Sequence, residues 1–146
     1  MFLLDTNVIS ETMREKADPA VRSWYREQSR SELWTTSVTV AELLFGIESL
    51  PAGRKQQALR EAVEEMLAED FRGQILTFNL SAARSYARIV AGRQKMGRPI
   101  CEMDAQIAAI AHAQVATLVT RDVNDFAACE ISVVNPWDRN PQITKS

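Results

Sequence analysis

The feature that most constrains the fold of this chain is an alternation of short apolar runs with longer amphipathic segments. The runs are typical of buried strands and occupy residues 2–4, 33–37, 75–78, 117–120 and 131–134. Between them, apolar residues recur at helical spacing. Strands separated by helices favour parallel pairing, with helices on both faces of the sheet. We therefore predict an α/β fold with three α/β/α layers and a central parallel sheet.

Capping residues predict where some of the helices begin. Asp18 followed by Pro19 is typical of an N-cap and the first helical residue. Thr39 with Glu42 three residues later has the spacing of a capping box, so a helix is predicted to begin at Thr39. Ser81 is the predicted cap of a helix that runs to residue 97.

The length of the chain suits one domain. A chain of 146 residues with 46% apolar residues buries roughly 68–70% of its unfolded surface and needs no disulfide or metal to fold. No repeat or linker interrupts the pattern, so we predict one domain over residues 1–138. The polar residues 139–146 are predicted to form a frayed C-terminal tail.

The sequence favours a soluble protein of the cytoplasm. The longest apolar stretch, residues 105–119, is interrupted by Gln106, His112 and Gln114, which is unsuited to a membrane span. Asp5 ends the opening apolar run, so no secretory leader is expected. The two cysteines are too few for a disulfide framework.

The charge balance excludes binding to nucleic acid through the overall field of the protein. Seventeen basic and nineteen acidic residues leave a net charge of −2, whereas generic nucleic-acid binders usually carry a basic excess. Any contact with nucleic acid is therefore expected to use a local patch.

Four acidic residues occupy equivalent places in the predicted α/β pattern. Asp5 directly follows the first strand, and Asp122 directly follows the fourth. Glu42 and Asp104 are each predicted to lie in the first turn of a helix. Strand ends and helix starts meet at one edge of a parallel sheet, where ligands bind. We call this the carboxyl edge, and Asp125 is also predicted to reach it.

Taken singly, each acid has a structural explanation as a helix cap or turn residue. Taken together, carboxylates about 5 Å apart at an effective dielectric near 20 repel by roughly 3 kcal/mol per pair. Such a group is destabilising unless it is protonated or holds a cation. Oxygen-only ligands favour a hard ion such as Mg²⁺ or Mn²⁺. The pattern therefore predicts a metal site.

Other chemistries have few residues to carry them. His112 is the single histidine and lies roughly 12 Å along the helix from Asp104 at 1.5 Å per residue. The five glycines are isolated and form no phosphate-binding loop. Neither cysteine has a histidine near it in the sequence.

Five ordered motifs resemble those of PIN-domain proteins, and in particular the VapC-type toxins of bacterial toxin–antitoxin pairs, in their FitB-like branch. The resemblance covers residues 2–138. Its motifs are LDTNVIS at 4–10, TVAEL at 39–43, DAQIAA at 104–109, TRD at 120–122 with DF at 125–126, and NPW at 135–137.

The resemblance implies a PIN-like fold and a role for each matching residue. Asp5, Glu42 and Asp104 match the three defining acids, and Asp122 matches the fourth. Many relatives carry asparagine at the fourth place and use a later acid, so the choice between Asp122 and Asp125 stays open. The implied neighbours of the acids are the small polar residues Thr6 and Asn7 and the hydroxyl residue Thr120.

The resemblance also implies an activity and partners. Members of the family are Mg²⁺- or Mn²⁺-dependent endoribonucleases that usually form homodimers. A VapB-like antitoxin typically blocks the acidic groove with its C-terminal segment and binds operator DNA through its own domain. We therefore expect an RNA substrate, an antitoxin partner, contact with DNA only through the antitoxin, and no membrane.

On this interpretation Asp5 and Asp104 bind the metal, and Glu42 and Asp122 complete the site or orient the attacking water. Several basic side chains are candidates for holding RNA phosphates: Arg14, Lys16, Arg93, Lys95, Arg98 and Arg121. Three alternatives stay open. They are a catalytically silent PIN-like scaffold, a haloacid-type phosphatase and a response-regulator receiver. A haloacid-type phosphatase would need a second aspartate two residues after Asp5, where this chain has Asn7.

Overall fold

The chain folds around one six-stranded sheet, as the computed structural model of residues 1–146 shows. The strands are β1 (Phe2–Leu4), β2 (Leu33–Thr36), β3 (Ile75–Leu76), β4 (Thr117–Val119), β5 (Ser132–Val134) and β6 (Thr144–Lys145). Their order in the sheet is β3-β2-β1-β4-β5-β6. The first five strands pair in parallel, and only β6 is antiparallel to its neighbour. The predicted central parallel sheet is confirmed.

Six α-helices connect and cover the strands. They are α1 (Thr6–Thr12), α2 (Pro19–Glu27), α3 (Ser37–Glu48), α4 (Arg54–Glu69), α5 (Leu80–Lys95) and α6 (Glu102–Gln114). Short 3-10 helices span Arg30–Glu32 and Val123–Phe126. None of the helices combines the length and the apolar character that crossing a bilayer requires.

The core has two parts, one on each face of the sheet. Successive strand residues point to opposite faces, so Leu3 and Leu118 join one cluster while Leu4 and Val119 join the other. The first cluster packs under α5 and α6. The second packs mainly under α1 and α2, with Phe71 after α4. This arrangement gives the three α/β/α layers that the alternation predicts.

The start of α3 differs from the prediction. The helix begins at Ser37, and the hydroxyl of Thr36 caps it by accepting a hydrogen bond from the backbone N–H of Thr39 at 3.0 Å. The predicted capping box of Thr39 and Glu42 is therefore wrong, and Glu42 lies in the second turn rather than the first. The Thr39 hydroxyl is buried without a hydrogen-bond partner. Four hydroxyl residues precede Val40 in quick succession, and the pattern alone did not single out the cap.

The cap of α5 and the end of the chain also differ. Asn79, not Ser81, caps α5, because its side chain accepts a hydrogen bond from the backbone N–H of Ala82. The predicted fraying of the tail is wrong, since β6 pairs with β5 and the Ser146 N–H donates to the carbonyl of Ile131 at 2.9 Å. The boundary placed at residue 138 stays a prediction.

Candidate active site

The carboxyl ends of β1 and β4 bring the predicted site residues to one edge of the sheet. Asp5 directly follows β1 and caps α1. Thr120 directly follows β4, which is the immediate neighbour of β1, and Asp122 comes two residues later. Asp104 lies in the first turn of α6, as predicted. Because β1 lies between β2 and β4, Asp5 lies between the site residues of the first half of the chain and those of the second half.

Asp5 is the most enclosed of these acids, with 6% of its surface exposed. Its Oδ1 accepts a hydrogen bond from the backbone N–H of Thr6 at 2.8 Å, and its Oδ2 accepts one from the Thr120 hydroxyl at 2.8 Å. The Asn7 amide adds a longer contact to Oδ2 at 3.5 Å. The carboxylate is therefore held in one orientation by residues that follow β1 and β4.

Burial raises the pKa of Asp5 to about 6. The hydrogen bonds from Thr120 and Thr6 act in the opposite direction, whereas the negative charges of Asp104 and Glu42 raise the pKa further. Asp5 thus ionises close to neutral pH. A carboxyl group whose charge is opposed in this way, at the ligand-binding edge of an α/β sheet, is a candidate for function.

Glu42 is linked to Asp5 through Thr6. The Thr6 hydroxyl donates to Glu42 Oε1 at 3.0 Å, while the Thr6 backbone N–H donates to Asp5. Burial raises the pKa of Glu42, the hydrogen bond from Thr6 lowers it, and the charge of Asp104 raises it. One small polar residue therefore fixes two acids, which agrees with the predicted place of Thr6 beside the site.

Asp104 is the acid on which the most neighbouring charges act. Burial raises its pKa, and a hydrogen bond from the Cys101 side chain lowers it. The negative charges of Asp125 and Asp122 raise it, and the positive charge of Arg93 lowers it. The charge of Asp104 in turn raises the pKa values of Asp5 and Glu42, so the acids of the two halves of the chain lie close enough to interact.

Asn7 connects the start of α1 to the segment after β4. Its amide nitrogen lies 3.1 Å from Asp122 Oδ2 and 3.3 Å from the Thr120 hydroxyl. Its oxygen accepts a hydrogen bond from the backbone N–H of Arg121 at 3.3 Å. The Asp122 N–H in turn donates to the Thr120 hydroxyl at 3.1 Å. Asn7 and Thr120 thus tie Asp122 to the surroundings of Asp5.

Asp122 and Asp125 reach the site in different ways, and both are exposed. Asp122 belongs to the hydrogen-bond network of Asn7. Asp125 donates its backbone N–H to the Asp122 carbonyl at 3.0 Å, and its charge acts on Asp104. Both remain candidates for the fourth acid.

The donor set suits a hard divalent cation, but it does not form a closed ligand cage. No group of three or more His, Cys, Asp or Glu side chains is spaced to share one ion. The donors at this edge are nevertheless oxygen atoms, and the charges of Asp104 and Glu42 raise the pKa of Asp5. A cation placed among them would reverse that repulsion. The residues present therefore fit Mg²⁺ or Mn²⁺ by their chemistry.

The basic candidates divide into three kinds. Arg93 is buried, with 5% of its surface exposed, so the prediction that it lines the edge is wrong. Arg14 forms an ion pair with Glu11 at 3.2 Å. Arg121 is exposed, and its guanidinium lies 4.6 Å from the centre of the Trp137 ring. The remaining candidates are exposed: Lys16, Lys95 and Arg98. No sequence signal distinguished Arg93 from its neighbours.

Two further features border the site or lie away from it. His112 bonds to the Ser85 hydroxyl through Nδ1 at 2.9 Å, in the last turn of α6, and takes no part in the acidic group. Beside Glu42, a largely apolar groove of about 240 Å³ runs between α1, α3 and α4. Its lining includes Met13, Leu43 and Leu59.

Comparisons with known proteins point to one family. A sequence profile described as the PIN domain matches residues 2–130 of the chain. The chain is 38% identical over 138 residues to VapC ribonuclease Y4jK of Sinorhizobium fredii. The aligned residues make up 94% of this chain and 99% of the relative. It is 37% identical over 137 residues to toxin FitB of Neisseria gonorrhoeae, with 94% and 99% covered.

A solved structure agrees with the sequence relatives. A structure of FitAB bound to an IR36 DNA fragment superimposes with a TM-score of 0.90 at 36% identity. The match covers 96% of this chain and 98% of the other. The motifs that hold the acids, from residues 4–10 to residues 120–126, lie within the span that the profile matches, up to residue 130.

Proposed function

Because the chain belongs to the PIN-domain family, we propose that it is a metal-dependent endoribonuclease and the toxin of a toxin–antitoxin pair. The names of its relatives, a VapC ribonuclease and a FitB toxin, support this assignment. The proposed reaction is hydrolysis of RNA phosphodiester bonds.

The observation that carries the proposal is a buried carboxylate that lies among other acids at the carboxyl edge. Burial raises the pKa of Asp5 to about 6, and the negative charges of Asp104 and Glu42 add to that rise. Holding such carboxylates together without a cation costs stability. A metal-dependent nuclease needs this arrangement, whereas an inert fold gains nothing from it.

We assign Asp5 and Asp104 as metal ligands, directly or through water, with Glu42 and Asp122 completing the site or orienting the attacking water. A bound Mg²⁺ or Mn²⁺ would acidify water and offset the charge that develops on the scissile phosphate. Thr120 and Thr6 fix the two Asp5 oxygens. Asn7 holds Asp122, with Asp125 as the alternative fourth acid.

The proposed bond changes follow from attack by water. The water oxygen forms a bond to phosphorus and loses a proton to a carboxylate of the site. The bond from phosphorus to the 3′ oxygen breaks, and that oxygen takes up a proton. The products therefore carry 5′-phosphate and 3′-hydroxyl ends.

The proposal is tested by incubating the purified protein with a panel of structured and unstructured RNAs, with Mg²⁺, with Mn²⁺ or with EDTA. We expect at least one RNA to be cut with either metal and none with EDTA, leaving 5′-phosphate ends. Cleavage that persists in EDTA, or products with 2′,3′-cyclic phosphate ends, would contradict the mechanism.

One observation favours a second candidate, a catalytically silent binding module. The acids are not already spaced as a group of three that could share one ion. A silent module would neither cut any RNA of the panel nor bind Mn²⁺. Calorimetric titration with Mn²⁺ therefore separates this candidate from a ribonuclease whose RNA is missing from the panel, because the latter still binds the ion.

We further propose an antitoxin partner that covers the acidic edge. The groove beside Glu42 joins apolar lining to a carboxylate, which suits a peptide segment with apolar side chains and a basic residue. We propose contact with DNA only through the antitoxin, on the family resemblance; the similar FitAB complex is one that binds DNA. A homodimer is proposed on the family resemblance alone.

Replacing Arg121 with alanine is expected to weaken RNA binding. Arg121 lies in the segment that follows β4 and leads to Asp122. It forms no ion pair, and its guanidinium lies over the Trp137 ring. Loss of one phosphate contact should raise KM about tenfold and reduce the salt dependence of binding by about 0.7 in slope. Steady-state kinetics at several salt concentrations measure both. Arg54→Ala, at the exposed start of α4, is the control, and an equal effect there would refute the assignment.

A further inference from the structure

Arg93 is a buried cation that has no carboxylate partner. It is 5% exposed and forms no ion pair, although the chain contains 19 acidic residues. Burying an unpaired charge is costly unless its donors are satisfied by hydrogen bonds. Here three backbone carbonyls accept them.

Those carbonyls belong to two different loops. Arg93 Nε donates to the carbonyl of Arg98 at 2.6 Å, in the loop between α5 and α6. Arg93 Nη1 donates to the carbonyls of Asp125 and Ala127 at 2.9 Å and 2.8 Å, at the end of the 3-10 helix after β4. The first loop leads into Asp104, and the second segment carries Asp125. One side chain therefore ties together the two segments that present these acids.

The second segment adopts a backbone conformation that needs support. Ala128 and Glu130 both have a φ of 57°, in the left-handed region that residues with a side chain rarely adopt. Cys129 lies between them, is fully buried, and places its Sγ 3.7 Å from Arg93 Nη1. Arg93 thus contacts the strained turn from inside and bonds the carbonyls that precede it.

The charge of Arg93 also acts at the acidic edge. Among the influences on Asp104, where burial raises the pKa most, Arg93 is the one positive charge that favours the carboxylate. Its guanidinium is nevertheless buried and donates through Nε and Nη1 to backbone carbonyls, so it is not available to bind an RNA phosphate.

We propose that Arg93 is a positioning residue. By bonding Arg98, Asp125 and Ala127 at once, it fixes the spacing between Asp104 at the start of α6 and the acids after β4. This inference rests on the proposed function, because it assigns Arg93 to the geometry of the same reaction.

The test compares Arg93→Met and Arg93→Lys with Ile89→Ala, a core substitution one turn earlier on the same helix. Misplaced acids should lower kcat by about 10²-fold in Arg93→Met, with KM for the RNA within about twofold of the unchanged protein. Arg93→Lys keeps the charge but not the planar set of donors, so we expect it to recover part of kcat. Ile89→Ala should lose thermal stability and keep kcat at temperatures where it remains folded.

A second readout does not depend on activity. Amide hydrogen exchange of the metal-free protein should accelerate in Arg93→Met at residues 98–104 and 122–130, and not elsewhere. If Arg93→Met does not fold, Arg93→Lys carries both measurements, with a kcat loss of about tenfold.

Unchanged kcat in a folded Arg93 variant, or exchange that accelerates across the whole chain as in Ile89→Ala, would overturn the inference. If the unchanged protein neither cuts any RNA nor binds Mn²⁺, the proposed function fails on its own tests. The exchange pattern then decides whether Arg93 holds the two loops.

Discussion

Asp5→Asn is expected to abolish RNA cleavage, with a loss of at least about 10³-fold in kcat. Asparagine has the same shape as aspartate, so its oxygen can still accept the hydrogen bond from the Thr6 N–H that Asp5 Oδ1 accepts at 2.8 Å. What the variant lacks is the negative charge beside Asp104 and Glu42. The rate of cleavage of the preferred RNA in saturating Mn²⁺ measures the loss.

The control for this substitution is Glu64→Gln, which also turns a carboxylate into an amide. Glu64 is exposed on α4 and has no hydrogen-bond or ion-pair partner, so cleavage should be unchanged. Asp104→Asn should behave as Asp5→Asn does. Full metal-dependent cleavage by either aspartate variant would rule out the proposed mechanism. A lower cleavage rate in Glu64→Gln would mean that the rate responds to the net charge of the protein rather than to the site.

The sequence predicts the sheet and its edge because both follow from a repeating physical pattern. Each apolar run must be buried, and each parallel crossover returns the chain to the same end of the sheet. The prediction that Asp5 and Asp122 meet at that end follows from this rule, and Asn7 bonding to Asp122 agrees with it. The same pattern places Glu42 and Asp104 near the starts of helices at that edge, and the family resemblance then implies a role for each of them.

What the sequence does not predict depends on contacts between distant segments. Thr36 caps α3 among several neighbouring hydroxyl residues, and the choice is made by where β2 ends in the sheet. Arg93 is buried because α5 packs on α6 beneath the turn at Asp125, whereas the neighbouring Lys95 and Arg98 stay exposed. Pairing of β6 with β5 likewise needs the edge of a sheet that forms elsewhere in the chain.

The same Asp5→Asn change is expected to stabilise the metal-free protein at neutral pH. The pKa of Asp5 is about 6 in the folded protein, against a usual value of 3.8. Below pH 3.8 the group is protonated in both states and costs nothing. As the pH rises, the unfolded chain ionises first, so stability falls until Asp5 also ionises near pH 6. At 1.36 kcal/mol per pKa unit the full cost is about 3 kcal/mol.

Urea unfolding of both proteins in EDTA, at pH 3.5 and pH 7.5, isolates this contribution. Other groups also titrate, since burial raises the pKa values of Glu42 and Asp104. The difference between the variant and the unchanged protein removes most of their contribution. From pH 3.5 to pH 7.5, the unfolding free energy of Asp5→Asn should rise by about 3 kcal/mol relative to that of the unchanged protein. An equal difference in stability at both pH values would show that the folded protein does not raise the pKa of Asp5.

Divalent metal should offset most of this difference in stability, because it binds the carboxylate that costs stability without it. At pH 7.5, Mn²⁺ at a hundred times its Kd should stabilise the unchanged protein by about 2.7 kcal/mol and Asp5→Asn far less. The ion would thus recover most of what the ionised acid costs, and the destabilising charge and the metal affinity would have one origin. A protein that showed the pH effect but no response to Mn²⁺ would have crowded acids without a metal site, and the silent-module alternative would then stand.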